Sequence, residues 1–306
     1  MIKWRNLDPT LKSKFNGVPR RQYHVFMHPS SGVSGSNTAD NEEFIRQHVE
    51  DEFIYYDPYY AADAAPAFSD IIVWPGYYNM ATAIPLNKDG MRLLAACMGP
   101  GHALSYATRM WSDGCAAVEI QGAKGCEVAG FRFGPESTDA TAINVGTTVN
   151  SYGAYIHDNT FFHENVENGC TYIDLGVAST YHSDESVIAN NLFIKGAGNA
   201  TSYAQIRWNL SIRSHIIGNT FEITGGSTNY QGIKVTAGVE QGHIIGNKFF
   251  AFESGTVQAI AVGATTVGHL YIDGNEFIGM TANANCFDYD ADSSGRNYLN
   301  GILIDS

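Results

Sequence analysis

Proline is absent from residues 136–306, although nine prolines lie within the first 135 positions. Proline has no backbone N–H to donate to a β-ladder, so the long stretch without it is compatible with continuous backbone pairing. Asparagine is distributed the other way, with 6 residues before position 140 and 17 after it. The chain is therefore divided into a proline-bearing first part and a proline-free, asparagine-rich second part.

Other scarcities exclude whole classes of protein. There are 18 Lys and Arg against 31 Asp and Glu, for a net charge of −13, which argues against a nucleic-acid backbone as partner. No apolar run reaches the roughly 18 residues of a membrane span, so we expect no membrane insertion. The five cysteines have no CxxC spacing, so we predict buried thiols and no metal site. The first residues lack the apolar stretch of a signal peptide.

A repeat runs through the second part of the chain. The pattern Ile-x-x-Asn-x-Phe recurs at five places, and its Phe positions are separated by 32, 28, 28 and 28 residues. The asparagines of this repeat are Asn159, Asn191, Asn219, Asn247 and Asn275. The pattern extends backwards to Val128 and Phe133, with Phe131 in the Asn place, and forwards to Leu303.

A second series of short apolar alternations lies between the Phe positions. It runs from Val118-Glu119-Ile120 to Phe287-Asp288-Tyr289 in steps of 25–33 residues. Each repeat thus holds at least two short strands separated by Gly, Asn, Ser and Thr turns, without a helical period between them. Successive coils of this kind stack about 4.8 Å apart. Asparagine tolerates left-handed backbone at sharp turns and can pair with the asparagine above and below. The pattern predicts an all-β fold, a parallel β-solenoid.

The repeat resembles the right-handed single-stranded parallel β-helix of the pectate-lyase-like superfamily, which includes phage tailspikes. Upstream, residues 71–78 (IIVWPGYY) resemble the first coil of that superfamily, and residues 91–101 resemble the next coil. The resemblance covers roughly residues 68–306 and implies about eight or nine coils. It is specific for fold and weak for activity, because the superfamily includes lyases, hydrolases, epimerases and inert binding proteins.

The N-terminal residues differ from the repeat. Residues 1–37 form a predicted arm with a Gly/Ser linker, and this arm contains six Lys and Arg within its first 21 positions. Residues 38–67 form the lead-in, where acids and the apolar residues Phe44, Ile45, Val49 and Phe53 predict a short amphipathic helix that caps the solenoid. Residues 68–306 are the predicted β-helix. The basic arm is either an anchor on an acidic partner surface or a solvated tail.

Candidate catalytic residues lie in the outward positions of the second series. Asp174, Arg207 and Lys234 occupy successive coils and form a predicted charged row. The resemblance implies that a lyase of this superfamily would need carboxylates for Ca²⁺ and a basic residue that removes a proton beside a uronate. A salt-bridged surface row explains the same residues without catalysis. We therefore predict no cofactor unless the protein is a lyase.

Loop acids and aromatic residues supply a second candidate site. The longest repeat contains Glu164 and Glu167, a pair of carboxylates suited to glycoside hydrolysis. Tyr155, Tyr172, Tyr181 and Trp208 lie near them in the sequence and are candidates for stacking on sugars. Solvated loop acids are the alternative explanation.

His215, His243 and Tyr271 form a further outward series, just before the Ile positions. Two imidazoles and a phenol without a carboxylate favour surface packing over metal binding. Ile217 and Ile245 also point outward, and this apolar stripe predicts a partner subunit, most simply in a homotrimer. The last coil, at residues 302–306, has no polar cap, so we expect a partner subunit to cover it as well.

The sequence favours a phage structural protein located in the virion, tailspike-like or capsid-decorating, which is held by residues 1–37 to other virion proteins and binds cell-surface polysaccharide. The alternatives are an extracellular polysaccharide lyase or glycoside hydrolase and a bacterial adhesin. Both would need export, so the missing leader counts against them.

Overall fold

The computed structural model describes residues 20–26, 50–96, 108–112, 114–135, 141–146, 148–163, 171–176, 180–195, 204–223, 230–251, 257–265, 268–279, 287–289, 298–299 and 302–303. These residues form an all-β parallel solenoid, as the repeat predicts. The chain passes through three sheets in turn, and each pass adds one strand to each sheet. Sequence neighbours therefore lie in different sheets, and strands one repeat apart pair side by side.

The first sheet contains twelve strands, in the spatial order Ile54–Tyr55, Gln22–Val25, Asp70–Val73, Arg92–Ala95, Glu127–Ala129, Tyr155–His157, Val187–Ala189, His215–Ile217, His243–Ile245, Tyr271–Asp273, Tyr298–Leu299 and Ile302–Leu303. The second contains Tyr77–Met80, Arg109–Ser112, Arg132–Pro135, Thr160–His163, Leu192–Lys195, Thr220–Ile223, Lys248–Ala251 and Glu276–Ile278. The third contains Ile84–Leu86, Val118–Ile120, Thr141–Val145, Thr171–Leu175, Ala204–Trp208, Tyr230–Ala237, Val257–Thr265 and Phe287–Tyr289. Two small sheets pair Ser151–Tyr152 with Ser183–Asp184 and Ser211–Ile212 with Val239–Glu240.

The core is built from columns of identical side chains. In the first sheet, the isoleucines of the repeat are stacked in register and buried. In the second sheet, Phe161, Phe193, Phe221 and Phe249 are each 0% exposed, and neighbouring rings stack nearly parallel with centroids 4.7–4.8 Å apart. This spacing is that of adjacent β-strands, so each ring covers the next.

The regular part of the solenoid comprises about six turns, from the one that contains Phe133 to the one that contains Phe277. This count is slightly lower than the eight or nine coils that the sequence predicts. The two turns that precede it belong to the same sheets but carry Tyr78 and Met110 in place of phenylalanine. Leu303 does not continue the Phe column, because Ile302–Leu303 turns back and pairs antiparallel with Tyr298–Leu299.

The asparagines of the repeat form a hydrogen-bonded ladder inside the turns. The Oδ1 atom of Asn219 accepts the backbone N–H of Asn191 at 2.9 Å and the side-chain amide of Asn191 at 3.0 Å. The side-chain amide of Asn219 donates to the carbonyl of Ile188 and to Oδ1 of Asn247. The same arrangement repeats from Asn159 to Asn275, so buried amides satisfy one another along the solenoid.

The ladder asparagines do not supply the left-handed backbone that the sequence analysis assigned to them. The residue before each one does, with positive φ at Asp158, Asn190, Gly218, Gly246 and Gly274, and Gly130 does the same before Phe131. The physical reason is that the asparagine side chain must point inward to reach its neighbours, and the sharp turn is made one residue earlier, where Gly, Asn and Asp have the least steric strain.

Within the described helices and strands, the prolines lie where a missing N–H does little harm. Pro85 lies in Ile84–Leu86, the edge strand of the third sheet. Pro135 is the last residue of its strand, and Pro58 begins the helix Pro58–Ala64. Pro58 and Pro85 precede the regular turns, Pro135 ends the first regular strand of the second sheet, and the turns after it contain no proline.

The N-terminal end of the core is covered by the helix Pro58–Ala64, which buries Pro58, Ala61 and Ala62 and packs against Ile84–Leu86. The predicted capping helix lies earlier: residues 42–49 fall outside the described residues, while Asp51–Phe53 forms a 3₁₀ turn and Ile54–Tyr55 a strand. Asp57, whose carboxylate accepts the Tyr59 N–H, caps the observed helix. Proline at the first position gives this short helix its start signal.

Part of the predicted N-terminal arm belongs to the solenoid. Gln22–Val25 pairs with Asp70–Val73 on one side and with Ile54–Tyr55 on the other. The proposed boundaries at 37 and 67 are therefore wrong for this strand, because its alternating Tyr23 and Val25 side chains are buried in the common core. Residues 1–19 and 27–37 of the arm lie outside the described part.

Candidate functional site

The outer face of the first sheet carries two rows of side chains that flank the buried isoleucine column. We call this surface the first-sheet face. The row before the isoleucines contains Asp70, Arg92, Glu127, Tyr155, Val187, His215, His243 and Tyr271. The row after them contains Ile72, Leu94, Ala129, His157, Ala189, Ile217, Ile245 and Asp273. Because the strands are parallel and in register, each row is a straight line of neighbours about 4.8 Å apart.

The first-sheet face begins with an ionic network. Asp70 is buried and accepts from Arg92 in a bidentate pair, with Nε–Oδ1 at 2.7 Å and Nη2–Oδ2 at 2.5 Å. Arg20 donates to the same carboxylate at 3.1 Å and to the carbonyl of Gly90 at 2.7 Å. Arg92 also lies 3.9 Å from Glu127. Through charge-assisted hydrogen bonds, this network joins the segment that begins the strand Gln22–Val25 to the next two strands of the first sheet.

The network continues through an imidazole held between two carboxylates. Nε2 of His157 lies 3.0 Å from Glu127 and its Nδ1 lies 2.8 Å from Asp158. Burial alone would lower the pKa of His157, but the hydrogen bonds and charges of Glu127 and Asp158 outweigh it and raise this pKa. The hydrogen bond from His157 is the main cause that lowers the pKa of Glu127, with Arg92 adding to it. The raised pKa of His157 and the lowered pKa of Glu127 therefore favour an imidazolium paired with an ionised Glu127.

We call His157 with Glu127 and Asp158 the clamp. The clamp predicts a pH-dependent contribution to the free energy of unfolding. The raised pKa of His157 stabilises the fold below its unfolded pKa near 6.5, and the contribution is lost as the pH rises through the folded pKa. The lowered pKa of Glu127 stabilises the fold above its unfolded value near 4.3, and that contribution is lost as the pH falls through the folded value. We expect His157→Gln to lower the free energy of unfolding by about 1 kcal/mol near pH 5.5 and by less than half of that at pH 9. Thermal denaturation between pH 5 and 9 measures the difference, and a difference independent of pH would contradict the clamp.

Beyond the clamp, the first-sheet face becomes aromatic and apolar. Tyr155 is 39% exposed and stacks on His157 with centroids 4.0 Å apart. His215 lies 4.7 Å from His243, which in turn contacts the ring of Tyr271 edge-on at 5.2 Å. Burial, and secondarily the neighbouring His243, lowers the pKa of His215. With Ile217 at 37% exposure, the surface offers flat aromatic and aliphatic groups along one side of a rigid stack.

The charged row on the third sheet lies on a different face. Asp174, Arg207 and Lys234 are in register on adjacent strands. Asp174 is 1% exposed, and its carboxylate accepts from the guanidinium of Arg207 and, at 3.1 Å, from Asn209. Burial raises the pKa of Asp174 although Arg207 and Asn209 act in the opposite direction. Since Arg207 and Asn209 occupy this carboxylate, the arrangement is that of a structural ion pair.

The ion pair of Asp174 and Arg207 predicts that removing Arg207 alone destabilises the protein more than replacing both residues. Arg207→Met should leave the buried Asp174 uncompensated and destabilise the protein by about 2 kcal/mol, a value reduced because Arg207 is partly exposed. Adding Asp174→Leu should restore stability to within about 1 kcal/mol of the natural protein. Lys234→Met, in the next strand, is the matched control and should have little effect. Urea denaturation of the four proteins tests this, and a double variant less stable than Arg207→Met would contradict it.

The aromatic candidates separate into two groups. Tyr155 and Tyr181 are exposed, at 39% and 38%, and can contact a ligand. Tyr172 and Trp208 are buried in the core, so their predicted role in sugar stacking is wrong. Tyr172 turns inward at the corner of its strand, contacts Phe161 and Phe193, and donates to the carbonyl of Ile194 at 2.8 Å. Trp208 occupies the inward column that Leu175 and Val235 continue.

Glu164 and Glu167 lie outside the described residues. Within the described ranges, no group of three or more His, Cys, Asp or Glu side chains is arranged to hold a metal ion. In the same ranges, no helix has the length and apolar character needed to cross a membrane.

The ionic network that precedes His157 was not predicted from the sequence. The predicted part of the row before the isoleucines was His215, His243 and Tyr271, and the same row extends back to Glu127, Arg92 and Asp70. Counting one position before Ile71, Leu93 and Val128 identifies these residues directly. Arg20 had no such signal, because its strand belongs to no repeat.

The fold and this surface define a parallel β-solenoid with a face that is ionic at one end and aromatic at the other. No protein-family model matches the chain, and no curated protein matches it. Among solved structures, the chain is weakly similar to ORF18 of Geobacillus virus E2, with a TM-score of 0.36 and 12% sequence identity over 77% of this chain. The chain spans about half, 54%, of the length of that viral protein.

Proposed function

We propose that this protein is a structural component of a phage particle, tailspike-like or capsid-decorating, which binds surface glycans. The observation that carries the proposal is the first-sheet face, where Tyr155 and Tyr271 are exposed on a stack of parallel strands paired in register. Exposed aromatic rings supply flat apolar surface to sugar rings, and the edge of each tyrosine carries a hydroxyl for their polar groups. The stacked core holds these groups at a regular spacing.

In this proposal the chain assembles as a homotrimer and binds other virion proteins through the predicted arm, residues 1–37 apart from the core strand Gln22–Val25. Ile217 and Ile245 extend the apolar part of the first-sheet face over two turns, a surface suited to a neighbouring subunit. Arg20 and Arg21 at the end of the basic arm contact Asp70 and the ring of Phe53. These contacts hold Arg20 and Arg21 against the solenoid and so support the proposed anchoring role of the arm.

Two measurements test the proposal. Mass spectrometry of purified particles of the virus that encodes the chain should detect it in a fixed ratio to the capsid protein, and its absence would contradict the virion role. On an array of cell-surface polysaccharides, the natural protein should bind a glycan, and Tyr155→Ala or Tyr271→Ala should weaken that binding at least tenfold. Tyr60→Ala is the matched control, because Tyr60 is exposed on the helix Pro58–Ala64 and belongs to neither row of the first-sheet face.

A second candidate function is cleavage of a polysaccharide by a lyase or a glycoside hydrolase. The observation that favours it is the imidazole–carboxylate pair of His157 and Asp158 beside Tyr155, because such pairs serve as acid–base groups. Incubation with a polysaccharide panel should then release reducing ends or unsaturated products. Loss of activity in Asp158→Asn would place the chemistry here, and loss in variants of Asp174, Glu164 or Glu167 would place it at the sites proposed from the sequence.

A further inference from the structure

We propose that His215 and His243 form a binding site for a divalent late first-row transition metal ion, such as Zn²⁺, Ni²⁺ or Cu²⁺. The two residues begin the adjacent strands His215–Ile217 and His243–Ile245 and are paired directly in register. Both side chains point away from the core, because Ile216 and Ile244, the next residues along each strand, are fully buried. The backbone ladder thus fixes two imidazoles beside each other on one outer face.

The distance between the rings fits chelation of a single ion. Two imidazoles bound at about 2.0–2.1 Å, with an angle at the metal between about 90° and 109°, have ring centroids about 4.5–5.2 Å apart. The centroids of His215 and His243 are 4.7 Å apart, and the ring planes are tilted by 40° rather than parallel. The phenylalanines inside the core stack at a similar distance but with tilts of 5–8°. The tilt distinguishes the histidine pair from the face-to-face packing of the core rings.

The local chemistry also favours a cation. Nδ1 of His215 is buried and has no hydrogen-bond partner in the described part of the chain, and a metal ion would supply one. The neighbouring side chains in the two rows are Val187, Ile217, Ile245 and Tyr271. None of these carries positive charge, and Asp273 lies one strand beyond Ile245. Neutral imidazole is the ordinary state above about pH 6.5 and is the form that binds metals.

Two imidazoles leave the remaining coordination positions to water. Such a site selects among ions by ligand type, because imidazole suits Zn²⁺, Ni²⁺ and Cu²⁺ and does not suit Ca²⁺ or Mg²⁺. Tyr271 covers one side of the pair, with its ring perpendicular to that of His243.

The test uses the full chain without a polyhistidine tag. Isothermal titration with Zn²⁺ should give one site per chain at pH 7.5, and His215→Asn or His243→Asn should weaken binding at least tenfold. His182→Asn is the matched control, because His182 lies outside this pair, and it should bind Zn²⁺ as the natural protein does. Thermal denaturation without metal should show that all three variants are folded.

Electron paramagnetic resonance with one equivalent of Cu²⁺ gives an independent readout. The natural protein should show coupling to two imidazole nitrogens, and either single variant should show one. No binding, or binding that survives both substitutions at His215 and His243, would overturn the proposal. Calcium at the same concentration should not compete.

Discussion

Replacing Asn219 with leucine should be among the most destabilising single changes in the described part of the chain, at about 3–6 kcal/mol. Asn219 is 0% exposed and has the middle position in the ladder. Leucine has the same branching as asparagine but a larger volume, and it removes the acceptor for the backbone N–H of Asn191 and the donor to the carbonyl of Ile188. Each polar group left buried without a partner costs about 1–3 kcal/mol. The measurement is urea denaturation followed by circular dichroism.

Two matched controls separate the ladder from the residue type. Asn275→Leu makes the same change at the end of the ladder, where the side chain is only half-buried, and should cost less than half as much. Asn190→Gly removes an exposed asparagine with φ of +55°, a conformation that glycine adopts freely, and should be nearly neutral. Equal destabilisation by all three substitutions would show that the ladder is not a cooperative network.

The fold could be predicted from the sequence because its core is periodic. Stacked coils place Ile on Ile and Phe on Phe, so the steps of 28 residues between Phe193, Phe221 and Phe249 report directly on neighbours in space. The same logic located the row of Asp174, Arg207 and Lys234. A solenoid is close to one-dimensional, and most of its contacts are between adjacent turns.

The sequence does not predict the positions where the repeat spacing leaves open whether a side chain points into the core or in which direction a strand runs. Tyr172 and Ile173 are consecutive, yet both are buried, because Tyr172 packs against Phe161 and Phe193 of the second sheet. Alternation alone would place one of them outside. Leu303 falls at nearly the right spacing but lies in a strand that reverses direction. These exceptions occur where the chain passes from one sheet to the next and at the end of the solenoid, and neither place has a repeating sequence pattern.

The candidate surface was only partly predictable for a related reason. His215, His243 and Tyr271 are visible as one row because three successive turns keep the same spacing. The ionic end of that row uses turns of unequal length and a strand, Gln22–Val25, that joins from outside the repeat. Its pairs therefore become apparent only once the register of the sheet is known.

Replacing Phe221 with alanine should destabilise the protein by about 4 kcal/mol or more. Its ring is fully buried between Phe193 and Phe249, with centroids 4.8 and 4.7 Å away and planes tilted by only 5° and 8°. Alanine removes the packed ring from both neighbours and leaves a cavity that the rigid turns cannot close. Phe221→Leu keeps part of the volume and should cost roughly half as much.

The destabilisation caused by Phe221→Ala should be largest in the neighbouring turns of the solenoid, because each turn is stabilised mainly by its two neighbours. Hydrogen exchange should accelerate in Leu192–Lys195, Thr220–Ile223 and Lys248–Ala251, while Tyr77–Met80, five turns away in the same sheet, keeps its protection. Phe277→Ala is the graded control: its ring is only partly buried and stacks on Phe249 at 5.3 Å, so the loss should be smaller. Uniform acceleration over all three sheets after Phe221→Ala would instead mean that the described turns unfold as one unit.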